Sequence, residues 1–147
     1  EIFLLLQENT ASKTRCSRFS MSGRGPTHIL MNCKLRIPLR NDNLTQALGD
    51  FGEKLVAQKV RCPGCKARER TLRLLPTNFK CADLICDFCG YLAQVKSVTS
   101  ADLDKLPKTI LGAAWLPQKT RMDSGIYFPL FVVLVNSKRK AAVYYLP

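Results

Sequence analysis

The sequence predicts one α/β domain in which a mixed β-sheet is flanked by helices. Three observations carry this prediction: a helical apolar period that follows Asn43, two C-x-x-C pairs around a short extended segment, and two β-branched and aromatic runs near the C-terminus. The chain has 147 residues, which is about the length of a single domain. We expect a basic tail over residues 1–40 and the folded domain over residues 41–147.

The predicted tail has no sustained hydrophobic period, and its basic residues are scattered among Ser, Thr, Gly and Pro. This composition is typical of a disordered terminus, although its positive charge could also contact a phosphate backbone. The chain begins at Glu1 and not at Met. A native start at Met21 or Met31 would exclude the first twenty or thirty residues, so we assign no function to the first twenty.

A helix is predicted over residues 43–59, where apolar side chains recur at the i, i+3, i+4 and i+7 spacing of one helix face. The apolar face consists of Leu44, Ala47, Leu48, Phe51 and Leu55. Gly49 and Gly52 lower the helix propensity, which indicates a close approach of another backbone. Glu53 lies away from the apolar face, and the pattern alone makes it a solvated surface charge.

Four cysteines have the C-x2-C-x20-C-x2-C spacing of a tetrahedral zinc site. These are Cys62, Cys65, Cys86 and Cys89. Gly90 after the second pair supports a tight turn around a metal, because such a turn often needs a residue free to take positive φ. A thioredoxin-like redox pair, which the doubled motif disfavours, and an iron–sulfur cluster are the other interpretations. Because four thiolates leave no open coordination position, we expect the zinc to be structural.

The chain contains seven cysteines, and this odd number favours reduced thiols over a disulfide framework. We therefore expect a cytoplasmic protein. No apolar run approaches the roughly 20 residues that a membrane-spanning helix needs, so no membrane association through a spanning helix is expected.

The turn around Cys86 to Gly90 allows residues 80–85 and 91–97 to pair as an antiparallel hairpin. With the centre near residue 88, Asp83 lies opposite Gln94. Side chains alternate between the faces of a strand, so Gln94 and Lys96 share one face and the intervening apolar residues share the other. The sequence therefore predicts that Asp83, Gln94 and Lys96, here called the strand trio, converge on one sheet face.

The strand trio has the groups of a hydrolytic metal site. The oxygens of Asp83 and Gln94 could bind a hard divalent cation such as Mg²⁺. Lys96 could orient or deprotonate a water molecule and stabilise developing phosphate charge. The alternative is an exposed cross-strand pair of Asp83 and Lys96 with no catalytic role.

A formal net charge of +12 indicates a polyanionic partner. Nucleic acid is the leading candidate, although charge alone does not separate it from an acidic membrane surface. The candidate DNA-binding residues lie next to the first cysteine pair and are Arg61, Lys66, Arg68, Arg70 and Arg73. A solvated basic face is the alternative interpretation of these residues.

The last third of the chain predicts a buried hairpin. The runs 126–135 and 141–146 are β-branched and aromatic, and the polar residues between them form the turn. The continuous apolarity of the first run predicts a strand buried on both faces, which starts after Pro129 or bulges there. Before this hairpin, we expect a turn-rich linker at 97–100 and a weak helix over 103–115.

These motifs together resemble a known superfamily. The order of Glu53, Asp83 and Gln94-x-Lys96 resembles the PD-(D/E)XK superfamily of restriction-like nucleases. More closely, G-E-K-L-V-A-Q-K-V-R-C-P-G-C and A-D-L-I-C-D-F-C-G-Y-L-A-Q-V-K-S are similar to the zinc-containing catalytic domain of DpnI-type restriction endonucleases. T-I-L-G-A-A-W and the hairpin from Tyr127 to Pro147 also resemble the later helix and strands of that domain. The similarity spans residue 46 to the C-terminus.

The resemblance implies a restriction-endonuclease-like fold and a Mg²⁺-dependent DNA endonuclease. Asp83 and Gln94 would bind the catalytic Mg²⁺, Lys96 would act on the attacking water, and Glu53 would be a further acid near the metal. The four-cysteine site would hold structural Zn²⁺. A homodimer is compatible with cutting both strands.

Two departures limit what the resemblance transfers. Gln94 stands where the superfamily usually has an acid, although Mrr-type nucleases of the same superfamily also carry glutamine. The winged-helix domain with which DpnI-type enzymes read methylated DNA has no counterpart in residues 1–147, so methylation specificity is not transferred. The alternative functions are a non-catalytic zinc-ribbon protein that binds nucleic acid on a degenerate nuclease scaffold, and a structural subunit that uses zinc for protein contacts.

Overall fold

The computed structural model describes residues 3–5, 12–14, 27–31, 44–65, 71–77, 79, 81–111, 116–138 and 140–147. The first elements are β1 (Phe3–Leu5), β2 (Ser12–Thr14), β3 (Thr27–Met31) and α1 (Leu44–Lys59). The middle elements are β4 (Arg73–Leu74), β5 (Leu84–Ile85), β6 (Leu92–Thr99) and β7 (Thr109–Leu111). The last elements are α2 (Leu116–Asp123), β8 (Leu130–Val135) and β9 (Ala141–Leu146). The predicted α/β class is therefore confirmed.

Five strands form a mixed sheet in the order β2-β3-β9-β8-β6, and β5 and β4 continue it beyond β6. β6 and β8 are parallel, whereas β8 and β9 form an antiparallel hairpin. β1 and β7 form a separate antiparallel pair. The parallel neighbours β6 and β8 need a crossover connection, and β7 and α2 lie within it.

Helix α1 covers one face of the sheet, and its apolar side packs against residues of β6, β8 and β9. Gly52 lies where the helix comes closest: a Cβ at this position would overlap the Oγ of Ser97 and lie 3.4 Å from the Cβ of Val133. Gly49 differs, because a Cβ there would meet nothing within 4 Å. The close approach expected at these glycines is thus found at Gly52 and not at Gly49. The group that approaches Gly52 is the side chain of Ser97, whereas the sequence predicted another backbone.

Strand β8 lies between β6 and β9, and all of its residues are buried. One set of its side chains packs beneath α1 with Val95 and Val143. The other set packs with Leu103, Ile110 and Tyr144 on the opposite face. The prediction of a strand buried on both faces is confirmed, and β8 starts directly after Pro129.

Two further predictions from sequence are confirmed. The helix expected over 43–59 is α1, which ends at Lys59. The C-terminal hairpin turns at Asn136, whose amide donates to the Lys140 carbonyl at 3.0 Å and whose Oδ1 accepts from the Lys140 amide at 2.9 Å. Asn side chains commonly stabilise such turns by binding nearby backbone groups.

The segment between β6 and β8 differs from the prediction. β6 continues through the expected linker at 97–100 as far as Thr99. The β-branched residues Val98 and Thr99 suit a pleated strand, and this preference prevails over the turn tendency of the serines. The weak helix predicted over 103–115 is wrong for Thr109–Leu111, which is a strand, and residues 112–115 lie outside the described part of the chain.

A helix does form nearby, but it begins at Leu116. Pro117 lies in its first turn, where a missing backbone N–H costs little because no helical carbonyl precedes it. The T-I-L run, for which the sequence predicts part of a helix, is instead β7 and pairs with β1.

Residues 1–40, for which the sequence predicts a disordered tail, contain three strands in the described stretches. β3 pairs with β9 over five positions, from Thr27 opposite Tyr145 to Met31 opposite Ala141. β2 lies parallel to β3 at the edge of the sheet. The difference has a physical reason, because the pairing partner of β3 is at the other end of the chain and leaves no local periodic signal.

Candidate metal centre and active site

Three of the four predicted zinc ligands meet in the structure. The sulfur atoms of Cys62, Cys86 and Cys89, here called the cysteine cluster, all lie within 4.8 Å of one another. The Sγ atoms of Cys62 and Cys89 are 3.6 Å apart. Among the described residues, this is the one group of three or more His, Cys, Asp or Glu side chains close enough to hold a metal ion. The cysteine cluster could therefore bind a metal.

Local backbone geometry assembles the cysteine cluster. After Cys86 the chain turns back on itself: the Gly90 amide donates to the Cys86 carbonyl at 2.9 Å, and the Cys86 amide donates to the Tyr91 carbonyl at 2.8 Å. Gly90 has a φ of 73°, which side chains disfavour and glycine accepts. Each C-x-x-C pair forms a turn, here called a knuckle: the first covers residues 62–65 and the second residues 86–90. In the first knuckle, the Cys65 amide donates to the Cys62 carbonyl at 3.4 Å.

Cys65 and Cys81 lie outside the cysteine cluster. Cys65 is buried, with 8% of its surface exposed, but its sulfur does not belong to the set of atoms within 4.8 Å of one another. Cys81 is half-buried and also does not join the set.

The thiols of the cysteine cluster differ in acidity. Burial raises the pKa of Cys62 to about 12, and hydrogen bonding with Cys89 and Cys86 adds to the effect. Burial also opposes ionisation of Cys86, but the backbone amides of Cys89 and Phe88 outweigh it and lower the pKa of Cys86 to about 7. Cys86 is thus more ready to ionise than Cys62.

Tyr91 connects the cysteine cluster to the central sheet. Gly64 of the first knuckle lies against the Tyr91 ring, so that a Cβ at Gly64 would overlap it. The Tyr91 hydroxyl shares a 2.8 Å hydrogen bond with the hydroxyl of Tyr145 on β9. Burial, with this hydrogen bond, raises the pKa of Tyr91 well above its ordinary value. Sequence patterns did not identify this contact, since Tyr91 and Tyr145 are 54 residues apart in the chain.

The hairpin of the strand trio forms in the predicted register. Leu84 lies opposite Ala93 and Ile85 opposite Leu92, so the next position outward places Asp83 opposite Gln94. The Asp83 amide donates to the Ala93 carbonyl at 3.0 Å. Beyond this point a side chain takes the place of the backbone carbonyl as hydrogen-bond acceptor: the Val95 amide donates to Asp83 Oδ2 at 2.7 Å.

Gln94 and Lys96 occupy one side of β6. Both are half-buried, whereas Ala93 and Val95 are buried in the core beneath α1, as strand alternation predicts. The Gln94 side-chain nitrogen donates to the Cys81 carbonyl at 3.2 Å, and its backbone amide donates to the Pro129 carbonyl at 2.9 Å. β6 is therefore anchored on both sides at Gln94.

Glu53 is not the solvated charge that the helix pattern predicts. It is half-buried, and burial together with the negative charges of Asp83 and Asp50 raises its pKa. The ammonium of Lys96 acts in the opposite direction. Glu53 thus lies in the electrostatic field of two members of the strand trio, because the contact at Gly52 brings this turn of α1 onto β6.

Two of the predicted DNA-binding residues can be located. Arg61 is exposed next to the first knuckle, and its backbone forms a bridge with Thr71. Arg73 is exposed and forms a 2.6 Å salt bridge with Asp87, beside the second knuckle. The remaining three, Lys66, Arg68 and Arg70, lie outside the described residues.

No protein-family model matches the chain, and no curated protein is significantly similar to it. Neither described helix combines the length and apolar character needed to cross a membrane.

Proposed function

We propose that this protein is a Mg²⁺-dependent DNA endonuclease of restriction-endonuclease-like fold, with a structural zinc site. The observation that carries the proposal is the register of β5 and β6, which ends at Leu84 opposite Ala93 and so brings Asp83 opposite Gln94 at the next position, with Lys96 on the same face of β6 as Gln94. The charges of Asp83 and Lys96 act on Glu53 of α1, which is the further acid that the resemblance implies.

The donor set of this site fits Mg²⁺. Asp83 supplies a carboxylate and Gln94 an amide, and oxygen ligands of these two kinds suit a hard cation. When bound, Mg²⁺ would act as a Lewis acid on a phosphodiester and on a water molecule. Glu53 supplies further negative charge nearby, which offsets the neutral side chain of Gln94.

The residues of the chain can be given roles in hydrolysis. The oxygen of water forms a bond to phosphorus while the bond from phosphorus to one ester oxygen breaks, and a proton passes to the leaving oxygen. The Lys96 ammonium would orient the water and stabilise the negative charge that develops on the phosphate. The carboxylate of Glu53 has a raised pKa, so it accepts a proton more readily than a solvated carboxylate would.

The cysteine cluster fits Zn²⁺, which prefers thiolate ligands in tetrahedral arrangement. Cys62, Cys86 and Cys89 would supply three ligands, and Cys65, from the same C-x-x-C pair as Cys62, would supply the fourth. The zinc would tie the second knuckle to the first and so hold together the hairpin that carries Asp83 and Gln94. Net charge of +12 and the exposed Arg61 and Arg73 support DNA as the partner.

The decisive experiment incubates the zinc-loaded protein with supercoiled plasmid in Mg²⁺, beside Lys96→Ala. Cleavage by the wild type and its loss in the variant are expected, and the variant should still unfold cooperatively because Lys96 makes no salt bridge among the described residues. The proposal fails if the wild type does not cut under any salt or metal condition, or if the variant cuts equally well.

A second candidate is a non-catalytic zinc-ribbon protein that binds nucleic acid. It is favoured by one observation: among the described residues the cysteines, and not the carboxylates, form the compact metal-binding group. Salt-dependent DNA binding that needs zinc, without cleavage in Mg²⁺ or Mn²⁺, would identify this function.

A further inference from the structure

The side-chain amide of Gln94 has a defined orientation. Its nitrogen lies 3.2 Å from the carbonyl oxygen of Cys81. A carbonyl oxygen can only accept a hydrogen bond, so the NH₂ group must be the part of the amide that faces it. Because the amide group is planar, its oxygen then points away from the Cys81 carbonyl.

This hydrogen bond belongs to a place where two strands separate. β6 and β5 are paired as far as Leu84 and Ala93. Beyond that pair, side chains span the gap: Asp83 Oδ2 accepts from the Val95 amide, and Gln94 donates to Cys81. The second oxygen of each side chain, Asp83 Oδ1 and the Gln94 amide oxygen, has no hydrogen-bond partner in the described part of the chain. Each residue of the pair therefore uses one polar atom for the fold and leaves one oxygen without a protein partner.

We propose that the Cys81 carbonyl requires an amide at position 94 and fixes Gln94 as a neutral oxygen ligand for a divalent cation. The cation role rests on the proposed function, whereas the orientation of the amide rests on the hydrogen bond alone. A glutamate at position 94 would place a carboxylate oxygen against the carbonyl oxygen with no proton between them, and two such acceptors repel. Restoring the usual acid of the superfamily would therefore weaken this site.

Among the described residues, charges that would act on a glutamate at position 94 come from Asp83, which lies opposite it directly before β5, and from Lys96 on the same face of β6. Glu53 on α1 interacts electrostatically with both of these groups. Asp83 and Glu53 would also repel a glutamate, so the test must separate their effect from that of the carbonyl. Asp83→Asn removes the nearest charge and keeps an oxygen that can accept from Val95.

The first experiment measures thermal unfolding of zinc-loaded, Mg²⁺-free protein at one neutral pH. Gln94→Glu is compared with Gln94→Met, which has a similar length but no polar group at its end. We expect Gln94→Glu to have a lower unfolding midpoint than Gln94→Met, and to unfold roughly 5 °C below the wild type. Most of this decrease should remain when Gln94→Glu is combined with Asp83→Asn. A wild-type midpoint for Gln94→Glu, or a loss that disappears in that background, would overturn the proposal.

The second experiment needs no substitution. In NMR spectra, the side-chain NH₂ of Gln94 should show a proton protected from solvent exchange, and titration with Mg²⁺ should shift its carbonyl carbon while that protection persists. Rapid exchange of both amide protons, as in a solvated glutamine, would overturn the proposed orientation.

Calorimetric titration with Mg²⁺ then separates the two proposals. We expect Gln94→Glu to bind Mg²⁺ at least about tenfold more weakly than the wild type, although it carries one more negative charge. Tighter binding by Gln94→Glu would overturn the inference. If the wild type binds no Mg²⁺, the cation role falls with the proposed function, and the unfolding and NMR results still decide the orientation of the amide.

Discussion

Gly52 of α1 lies directly against Ser97 of β6, with no room for a Cβ between the helix and the strand. The Ser97 hydroxyl is buried and has no hydrogen-bond partner within the described residues. This contact determines how closely α1 approaches the sheet. It also sets the position of the next residue, Glu53, relative to Asp83 and Lys96.

Gly52→Ala should destabilise the protein by about 1–3 kcal/mol, because the added methyl group overpacks the contact with Ser97. The free energy of unfolding in urea measures the effect. Gly49→Ala is the matched control: it lies in the same helix with nothing within 4 Å of its Cβ. The control should be neutral or stabilise by up to about 1 kcal/mol through helix propensity. Equal effects at the two positions would contradict the contact.

Substitution of a cysteine in the cysteine cluster should remove the metal. We expect the wild type to contain one zinc per chain under reducing conditions, and Cys86→Ser to lose it and to unfold at a lower temperature, since metal binding contributes to folding. Cys81→Ala is the control and should retain the zinc, because only its backbone carbonyl has an assigned role. Metal analysis of the purified variants decides the matter, and a zinc-free wild type would refute the site.

Glu53→Gln should stabilise the protein at neutral pH in Mg²⁺-free buffer. Burial and Asp83 raise the pKa of Glu53 in the folded state above its ordinary value of 4.5. The folded state therefore prefers the protonated acid, so the stability that this acid contributes is present below pH 4.5 and is lost as the pH rises through the raised pKa.

Glutamine imitates the protonated acid at every pH. The stability difference between Glu53→Gln and the wild type should therefore be largest near pH 7 and vanish towards pH 4, as measured by thermal unfolding across this range. A pH-independent difference for Glu53→Gln would contradict the raised pKa.

Tyr91 and Tyr145 should be energetically coupled. Their hydroxyl groups share a 2.8 Å hydrogen bond in a partly buried position. Tyr91→Phe and Tyr145→Phe should each destabilise by about 0.5–1.5 kcal/mol, and the double variant by less than the sum. A double-mutant cycle in urea measures this coupling. Additive effects would show that the hydrogen bond contributes nothing in solution.

The parts of the fold that sequence predicted correctly are determined by neighbours in the chain. The period of α1 and the hairpin turn at Asn136 are local features. The register of Asp83 and Gln94 was also predictable, because the knuckle between β5 and β6 has a short, defined length. The elements that were missed depend on distant partners: β3 needs β9, and β7 needs β1.

The candidate site shows the same division. The strand trio and the cysteines could be selected by residue type and spacing, whereas the environment of Glu53 could not, since it depends on the packing of Gly52 against Ser97. The Cys81 carbonyl had no sequence signal at all, because every residue carries a backbone carbonyl. The position of Cys65 relative to the other sulfurs likewise depends on how its knuckle packs.

Side chains of β6 alternate between the core and the candidate site, so an insertion or deletion in this strand would affect both. Ala93 and Val95 must face inward, and their register with Phe131 and its neighbours on β8 leaves Gln94 and Lys96 on the other face. Loss or gain of one residue in this strand would exchange the two faces, burying an ammonium and exposing a valine. Length variants of β6 should therefore fail to fold before they could be selected for activity, whereas Lys96 can be replaced without disturbing the core.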